Sequence, residues 1–370
     1  MPTLLYVPRF DENGAAPRYR IYQYLDSFKK LGFNITVKPL FNINYLNNLY
    51  FKKKRSIFYL IKTYFQRALF LTFNKSKFDI VLMDGELFPF IPYFFEKMFL
   101  PRHFIIDQDD AIFHTYDNHR SFLVRLLLGK KIKKVWRKSH HIIVGNDYIK
   151  KNAIAMGVKQ VIALPTVVNA ELYKPSITSR TKYKDEIIIG WVGSPTTIHS
   201  MDHIKQAIIN VSKKANIILY IIGAKYNIPG VKIICIDWKD GWSELDEINL
   251  TNEIDIGIMP LVDGPYHKGK GGFKLIKYMA CAKPMIASAV GVNTEIIDHG
   301  KNGYLTSSVE EWEKYLLILI ENPEKRKQFG SAGREKMLAQ YSFQVIDPII
   351  CNMVVESCNK MRSSDFRTFI

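Results

Sequence analysis

Short apolar runs alternate with longer segments of helical periodicity along most of the chain, and this alternation constrains the fold more than any other feature. In the first half, apolar runs predict strands at Leu4–Val7, Asn34–Lys38, Ile80–Met83, Phe104–Asp107, His141–Val144 and Val161–Leu164. Helical patterns lie between them, at residues 18–31, 57–73, 88–99, 122–137 and 147–156. Because strands that alternate with helices pair in parallel, with helices on both faces, this half predicts a doubly wound sheet.

The alternation restarts after Thr166–Asp185, a stretch of Ser, Thr, Pro and charged residues that indicates a linker. Beyond it we expect strands at Ile187–Trp191, Ile217–Ile222, Lys232–Ile236, Asp255–Met259 and Met285–Ala287, with helices at residues 201–213, 244–252 and 273–282. We therefore predict an α/β fold with two Rossmann-like, doubly wound domains, residues 1–170 and 171–342, that face each other across a cleft. Ligands of such sheets bind beyond the carboxyl ends of the strands, which makes the cleft the default site.

Composition and missing motifs exclude several classes of protein. Hydrophobic residues make up 47% of the 370 residues and charged residues 24%, which excludes a mostly disordered or collagen-like chain. Four cysteines without a CxxC pair support neither a disulfide scaffold nor structural zinc. Neither GxGxxG after a strand nor a P-loop motif is present. With no secretory signal and no apolar run of about 18 residues, we expect a cytoplasmic protein, soluble or peripheral on the inner face of the cell membrane.

Positive charge is concentrated in the first half of the chain. Residues 1–170 carry 27 Lys/Arg and 12 Asp/Glu, a net +15, whereas residues 171–370 carry 25 and 23, a net +2. No acidic residue occurs in residues 41–78, which include Lys52-Lys53-Lys54-Arg55, or in residues 118–146, which include the basic, helix-like segment Gly129–Ser139. An anionic membrane surface is the favoured partner, because each basic residue near it contributes about 1 kcal/mol.

The helix predicted after Arg55 supports this interpretation. Arg55, Lys62 and Gln66 share one stripe, and most apolar residues lie away from it, as in a helix that lies in the headgroup plane. A helix packed on the core with a solvated basic edge fits the same pattern. Nucleic acid is a third possible partner of so basic a chain, but no known nucleic-acid-binding module is present.

The segment Lys268–Ser288 is a basic, glycine-rich turn that opens a helix. The amides at a helix start favour an anion by roughly 0.3–1 kcal/mol. Gly271 and Gly272 allow a phosphate to approach the backbone, and Lys277 lies three residues after Lys274 on one helical face. Positive charge is added by Lys268, Lys270 and Lys274. A solvated basic loop before an ordinary helix is the alternative.

A second turn lies at an equivalent position in the same predicted sheet. Gly193, Ser194 and Thr196 follow the first strand of the second half and precede a helix. Two helix starts that favour anions in one sheet fit a diphosphate, although an ordinary βα turn has the same sequence features.

The first half has a matching turn after its first strand. Gly14 and Ala15 are small enough for close approach of a ligand to the backbone, and Arg18 and Arg20 would face an acceptor or a phosphate. A helix cap with surface arginines is the alternative.

Carboxylates cluster after the predicted strand Phe104–Asp107. Asp109 and Asp110 follow it, and His114 is close in sequence, so these residues could position an acceptor or take a proton. Pairing with local lysines and a metal site of the Asp-x-Asp type are the alternatives, in that order. Glu86, after Asp79–Met83, is a weaker candidate of the same kind, for which a surface acid is the simpler interpretation.

Together these segments resemble bacterial glycosyltransferases of family 4, in the cell-surface polysaccharide branch, which have the two-domain GT-B fold. The matching pieces are Gly14–Arg18, Ile106–Phe113, Val144–Tyr148, Pro165–Val168, Gly190–Pro195, Asp255–Leu261, Lys268–Ser288, Gly291–Glu295 and His299–Gly303. The ordered set runs to about residue 342 and is specific as a set, though no single piece is.

The resemblance implies a retaining, metal-independent transfer of a sugar from a nucleotide-diphosphate donor to a polysaccharide or lipid-linked acceptor, without a cofactor. Residues 1–170 would bind acceptor and membrane, residues 171–342 would bind the donor, and residues 343–370 would fold back onto the first domain. Lys270 and Lys274, with the Gly271 and Gly272 amides, would stabilise the departing diphosphate, which would itself take the acceptor proton.

One departure concerns two glutamates, eight residues apart, that many family members carry. Aligned on Tyr278-Met279-Ala280, their positions are occupied by Gly269 and Lys277, as in a branch with the pattern Phe-Lys-Leu-x-x-Tyr-Met-Ala. Glu295 is the nearest remaining acid that could assist a donor hydroxyl. A non-catalytic protein of the same fold that binds a nucleotide-sugar or RNA is the alternative function.

Overall fold

The computed structural model describes residues 1–50, 56–176, 183, 185–237 and 243–367, so the predicted membrane contact Lys52–Arg55 lies outside the described residues. The chain divides into two compact units. The first contains the described residues of Met1–Thr166, the loop Gly269–Gly271, and the chain from Ile346 onward. The second contains those of Val167–Lys268 and Gly272–Val345.

The first unit has one parallel sheet of six strands in the order β2-β1-β3-β4-β5-β6. Its strands are β1 (Thr3–Val7), β2 (Asn34–Val37), β3 (Ile80–Asp84), β4 (Phe104–Gln108), β5 (His141–Val144) and β6 (Val161–Ala163). Its helices are α1 (Ala15–Arg20), α2 (Leu25–Lys30), α3 (Ile43–Tyr50), α4 (Ile57–Asn74), α5 (Tyr93–Glu96), α6 (His114–Asp117), α7 (Phe122–Leu128), α8 (Lys131–Trp136) and α9 (Asp147–Ala155).

The second unit repeats this architecture, with strand order β12-β11-β10-β7-β8-β9. Its strands are β7 (Ile187–Val192), β8 (Ile217–Ile222), β9 (Ile233–Ile236), β10 (Ile256–Met259), β11 (Met285–Ser288) and β12 (Gly303–Thr306). Its helices are α10 (Lys205–Ser212), α11 (Glu244–Glu253), α12 (Pro265–Lys268), α13 (Phe273–Ala280), α14 (Asn293–Ile296), α15 (Val309–Glu321) and α16 (Pro323–Gln340). The last helix, α17 (Phe343–Arg367), begins in the second unit and belongs to the first unit from Ile346 onward. Short 3-10 helices occur at Tyr22–Tyr24, Lys75–Lys77 and Ile198–Ile204.

Both sheets are covered by helices on two faces, which explains why their strands are almost continuously apolar. In β7, Ile188 packs in the core on one face of the sheet, and Ile189 packs in the core on the other. All strand pairs are parallel. The predicted fold class, two doubly wound α/β sheets, is thereby confirmed.

Several predicted helices are shorter than expected. Residues 88–99 form a helix only at Tyr93–Glu96, because Pro89 and Pro92 cannot continue a helix through this segment. Residues 18–31 are divided into α1, a 3-10 turn and α2. None of the helices in the described part of the chain is long and apolar enough to cross a membrane.

Candidate functional site

In the second unit, the turn after β7 lies against a side chain of α13. A Cβ atom added to Gly193 would lie 2.4 Å from the Trp191 ring and 2.9 Å from Cε of Lys274, so only glycine fits here. The Lys274 ammonium lies 4.7 Å from the centre of a Trp191 ring, a cation–π contact. Gly193 and Lys274, predicted from separate segments as donor ligands, are therefore neighbours.

The same turn presents two hydroxyl groups, whereas its Gly193 amide is used within the sheet. The Gly193 N–H donates to the carbonyl of Ile222 at 2.9 Å and is thus used by the sheet. Ser194 and Thr196 have their hydroxyl oxygens 2.8 Å apart, and Thr196 is exposed. The two hydroxyls and the Lys274 ammonium would therefore contribute to the binding of an anion at this turn, and the Gly193 amide would not.

The start of α13 depends on Gly272, which is its N-cap residue. Its φ of 67° is in the left-handed region, and an added Cβ would lie 2.4 Å from Cδ1 of Ile296. No side chain of the described residues caps this helix end. The positive end of the helix dipole lies beside Lys274, where it would favour an anion.

Three other predicted donor residues of this unit are engaged elsewhere. Lys277 forms a buried ion pair with Glu247, so the predicted contact with the donor is not supported, and we assign Lys277 to the packing of α13. Lys268 pairs with Asp263 at 3.1 Å, with both side chains substantially exposed. Glu295 lies exposed on the short α14, and its carbonyl accepts a hydrogen bond from Lys336 at 2.8 Å.

The loop Gly269–Gly271 packs within the first unit. Lys270 Nζ lies 2.8 Å from Oδ2 of Asp110, and the Lys270 carbonyl accepts from the Asn146 side chain at 3.1 Å. A Cβ atom added to Gly269 would lie 2.3 Å from Cβ of Ala111. A Cβ atom added to Gly271 would have no neighbour closer than 3.7 Å. Lys270, predicted to bind a diphosphate, is thus paired with a carboxylate that was itself a candidate site residue.

The carboxyl edge of the first sheet holds a buried ion pair. Arg20, the last residue of α1, donates to both oxygens of Asp107, with the shortest distance 2.7 Å, and also to the Leu164 carbonyl at 2.7 Å. Both side chains are 4% exposed. The prediction that Arg20 faces an acceptor or a phosphate is therefore wrong, because this guanidinium joins α1, β4 and the chain after β6.

Two carboxyl groups at this edge have strongly raised pKa values. Burial raises the pKa of Asp109 to about 7, with repulsion from Asp110 adding to the shift and Arg20 opposing it. Burial likewise raises the pKa of Asp84 to about 7, although the Arg9 amide and the Tyr6 hydroxyl donate to it. Groups with such values can exchange a proton near neutral pH.

Sequence reasoning missed Asp84. This residue ends β3 and lies in register with Asp107 on the neighbouring β4. An acidic residue that ends an apolar strand was the available signal, because the carboxyl ends of parallel strands lie at one edge.

His114 and Glu86 are both held by neighbouring side chains. The two ring nitrogens of His114 each lie 2.9 Å from a partner oxygen, one on Asp117 and one on Tyr148. Glu86 is buried, which corrects its interpretation as a surface acid; it accepts from the Tyr116 hydroxyl and pairs with Lys131 at 2.5 Å. We assign Glu86 to an internal ion cluster rather than to acceptor binding.

The turn before α1 is closed by its own arginine. Arg18 donates to the carbonyls of Glu12 and Asn13, at 2.9 and 3.1 Å. Gly14 is the N-cap residue of α1, and Ala15 is exposed at its first position. Of the residues predicted here, Ala15 alone presents an exposed side chain among those described.

Comparison with known proteins finds similarity to glycosyltransferases in part of the chain. Residues 176–336 match the family described as glycosyl transferases group 1. A segment of 66 residues, 17% of this chain, is 39% identical to an uncharacterised glycosyltransferase of Methanocaldococcus jannaschii, of which it covers 19%. The chain thus spans less than a fifth of the length of the curated relatives it matches.

Solved structures match over nearly the whole chain. Sucrose-phosphate synthase of Thermosynechococcus elongatus matches with a TM-score of 0.70 and 13% identity, covering 96% of this chain and 99% of that one. HepE of Anabaena in complex with UDP-glucose matches with a TM-score of 0.68 and 13% identity, covering 96% and 100%. At these identities the likeness shows the fold, which is the GT-B fold of two Rossmann-like domains.

Proposed function

We propose that this protein is a retaining glycosyltransferase that moves a sugar from a nucleotide-diphosphate donor to a polysaccharide or lipid-linked acceptor. The observation that carries the proposal is the contact between the β7 turn and α13, where Gly193, Lys274 and the Gly272 helix start lie together. The match of residues 176–336 to glycosyl transferases group 1 covers all three residues and supports the same activity.

The donor diphosphate would bind at this contact in the second unit. As the bond between the sugar C1 and the diphosphate oxygen breaks, negative charge grows on the leaving phosphate. The Lys274 ammonium and the positive end of α13 would stabilise this charge, and such electrostatic stabilisation is usually the largest catalytic contribution. HepE is solved with UDP-glucose, and we propose a donor of the same chemical class here. The lysine and the helix start would supply the positive charge without a metal or a cofactor.

The acceptor would bind at the carboxyl edge of the first sheet. Asp109 and Asp110 would hold its hydroxyl group, since the pKa of about 7 for Asp109 suits a group that shares a proton near neutrality. The acceptor oxygen forms a bond to C1 on the face that the diphosphate leaves, and its proton passes to the leaving phosphate. We propose that such acceptors, carried on lipid or on a growing polysaccharide, bring the protein to the inner face of the cell membrane.

The test is release of nucleoside diphosphate from a panel of UDP-, GDP- and dTDP-sugars, with and without a lipid extract as acceptor source. We expect slow hydrolysis of one donor and faster release when its acceptor is present. Lys274→Ala should lower the rate by about 10²–10³-fold. Lys225→Ala removes an exposed lysine paired with Asp237 in the same unit and should have no effect.

Binding of a donor without turnover for any donor and acceptor pair would contradict a transferase and would favour a non-catalytic nucleotide-sugar-binding protein. Full activity of Lys274→Ala would contradict the site.

A further inference from the structure

Helix α4 turns an apolar face outward and buries a charged residue. Six large apolar side chains on it are 49% to 77% exposed: Ile57, Phe58, Ile61, Phe65, Leu69 and Phe73. Arg67 is 6% exposed and donates to the carbonyls of Pro8 at 2.6 Å and Lys38 at 2.8 Å. Because these hydrogen bonds fix the rotation of α4, the outward position of its apolar face is built into the fold.

The elements next to α4 show the same feature. Phe94, Phe95 and Met98, in and after α5, are 55% to 63% exposed. Four residues of α7 are 64% to 65% exposed: Phe122, Leu123, Leu126 and Leu127. We call the exposed apolar residues of α4, α5 with Met98, and α7 the apolar surface.

Contacts within the first unit connect these elements. Lys75, just after α4, donates to the carbonyl of Met98 at 2.5 Å. Glu96 of α5 lies 2.7 Å from Lys131 of α8, which directly follows α7 in the chain. The 13 exposed side chains of the apolar surface therefore lie on elements that are connected within one unit, unlike the singly scattered apolar residues usual on a monomer.

The charges around the apolar surface identify its partner. Helices α4 and α7 lie in the two tracts without acidic residues, residues 41–78 and 118–146. Exposed cations stand among the apolar side chains: Lys97 lies 4.7 Å from the Phe94 ring centre, and Arg125 lies 6.0 Å from that of Phe122. Phenylalanine and leucine interleaved with lysine and arginine suit the boundary between anionic headgroups and acyl chains.

We propose that the apolar surface inserts into the headgroup region of an anionic lipid bilayer. This inference rests on the proposed function only for its biological reason, the delivery of a membrane-carried acceptor. It replaces the prediction that the basic segment Gly129–Ser139 is a main contact with the membrane. The basic segment Gly129–Ser139 is not a uniformly exposed charged helix, because the Lys131 side chain is fully buried between Glu86 and Glu96. Apolar insertion, with flanking cations, is the main contact.

The experiment is sedimentation of the full chain with vesicles of phosphatidylcholine containing about one third phosphatidylglycerol. We expect the double variant Phe65→Ser/Phe73→Ser to bind at least about tenfold more weakly than the wild type. The matched control is Leu172→Ser/Leu245→Ser, which removes two apolar side chains, 55% and 62% exposed, from the second unit. This control should bind like the wild type.

Three outcomes would overturn the proposal: equal binding by both double variants, complete loss of wild-type binding in about 0.5 M salt, as expected for purely electrostatic attachment, or self-association through this face without vesicle binding. The fold is checked by thermal unfolding of each variant. Nucleoside diphosphate binding by Phe65→Ser/Phe73→Ser should stay unchanged, so that a failure of the membrane proposal is distinguished from a failure of the transferase proposal.

Discussion

The two units share one architecture, yet the carboxyl edges of their sheets carry opposite chemistry. The edge of the first unit is acidic, with Asp84, Asp107 and Asp109 at the ends of β3 and β4. The edge of the second unit has a glycine-hydroxyl turn at Gly193 and a lysine at Lys274. The same scaffold thus supports different ligands, because function depends on the residues grafted at the strand ends rather than on the fold.

The units also differ in which charged side chains are buried and which apolar side chains are exposed. The first unit buries an ion cluster of Lys131 with two carboxylates and exposes the apolar surface. In the second unit, the large apolar side chains that are exposed among the described residues number four and lie on separate elements: Leu172, Leu245, Tyr266 and Leu338. Buried charges together with a group of exposed apolar side chains occur in the first unit, which indicates a specific partner for that unit.

The largest expected effect is on the stability of the first unit. Lys131→Met leaves Glu86 and Glu96 buried without their cation, and burial has already raised the pKa of Glu96 to about 7. We expect a loss of about 3–5 kcal/mol in the free energy of unfolding. Urea unfolding measures it, with Lys134→Met as the control. A loss below about 1 kcal/mol would show that the cluster is unimportant for stability.

Removing the lysine of the corresponding buried ion pair in the second unit should lower the free energy of unfolding by a smaller amount. Lys277→Met leaves a single buried carboxylate, that of Glu247, and we expect a loss of roughly 3 kcal/mol. Donor binding at a temperature where the variant is folded should be retained, since Lys277 is assigned to packing. Loss of donor affinity in a folded Lys277→Met variant would restore the original assignment of Lys277 to the donor.

The pH dependence of stability tests the acidic edge. The pKa of Asp109 is raised from 3.8 to about 7, so its contribution to stability is fully present below about pH 4 and is lost as pH rises through 7. Asp109→Asn stays neutral and should therefore be more stable than the wild type at pH 8, with a difference that disappears towards pH 4.

The control for this prediction is Asp26→Asn. Hydrogen bonding to Lys29 lowers the pKa of the exposed Asp26, so this substitution should be slightly unfavourable above about pH 4 and neutral below. The melting temperatures of both variants and the wild type at pH 4, 6 and 8 provide the measurement. A difference between Asp109→Asn and the wild type that does not change with pH would refute the raised pKa.

The smallest change in the free energy of unfolding is expected for a substitution on the apolar surface. Phe65→Ser changes a side chain that is 65% exposed, so the free energy of unfolding should change by less than about 0.5 kcal/mol. Leu71→Ala, on the buried face of the same helix, should cost about 2–5 kcal/mol. If Phe65→Ser were the more damaging substitution, α4 would be rotated relative to the orientation described here.

Sequence patterns predicted the sheets well because buried parallel strands are continuous apolar runs. All of the strands from Leu4–Val7 to Met285–Ala287 that were expected occur within a few residues of their predicted places. Helix limits were less accurate, since proline at positions 89 and 92 and the 3-10 turns interrupt the apolar period. The domain limits at residues 170 and 342 stay predictions.

The candidate site was predicted unevenly, for a physical reason. A turn that requires glycine, such as Gly193 or Gly272, leaves a local signal in the sequence, and the structure places both beside functional candidates. The partner of a charged side chain leaves no such signal. The pairing of Arg20 with Asp107, 87 residues away, and of Lys277 with Glu247, 30 residues away, depends on which elements pack together.

Binding of nucleoside diphosphates to the second unit tests the central claim most directly. Calorimetric titration of UDP, GDP and dTDP into the wild type, Lys274→Ala and Lys225→Ala measures it. We predict that one nucleotide binds the wild type and Lys225→Ala equally and binds Lys274→Ala at least about tenfold more weakly, because a charge-assisted contact is lost. Equal affinity for all three proteins, or no binding of any nucleotide to the wild type, would contradict a diphosphate site at Gly193, Gly272 and Lys274.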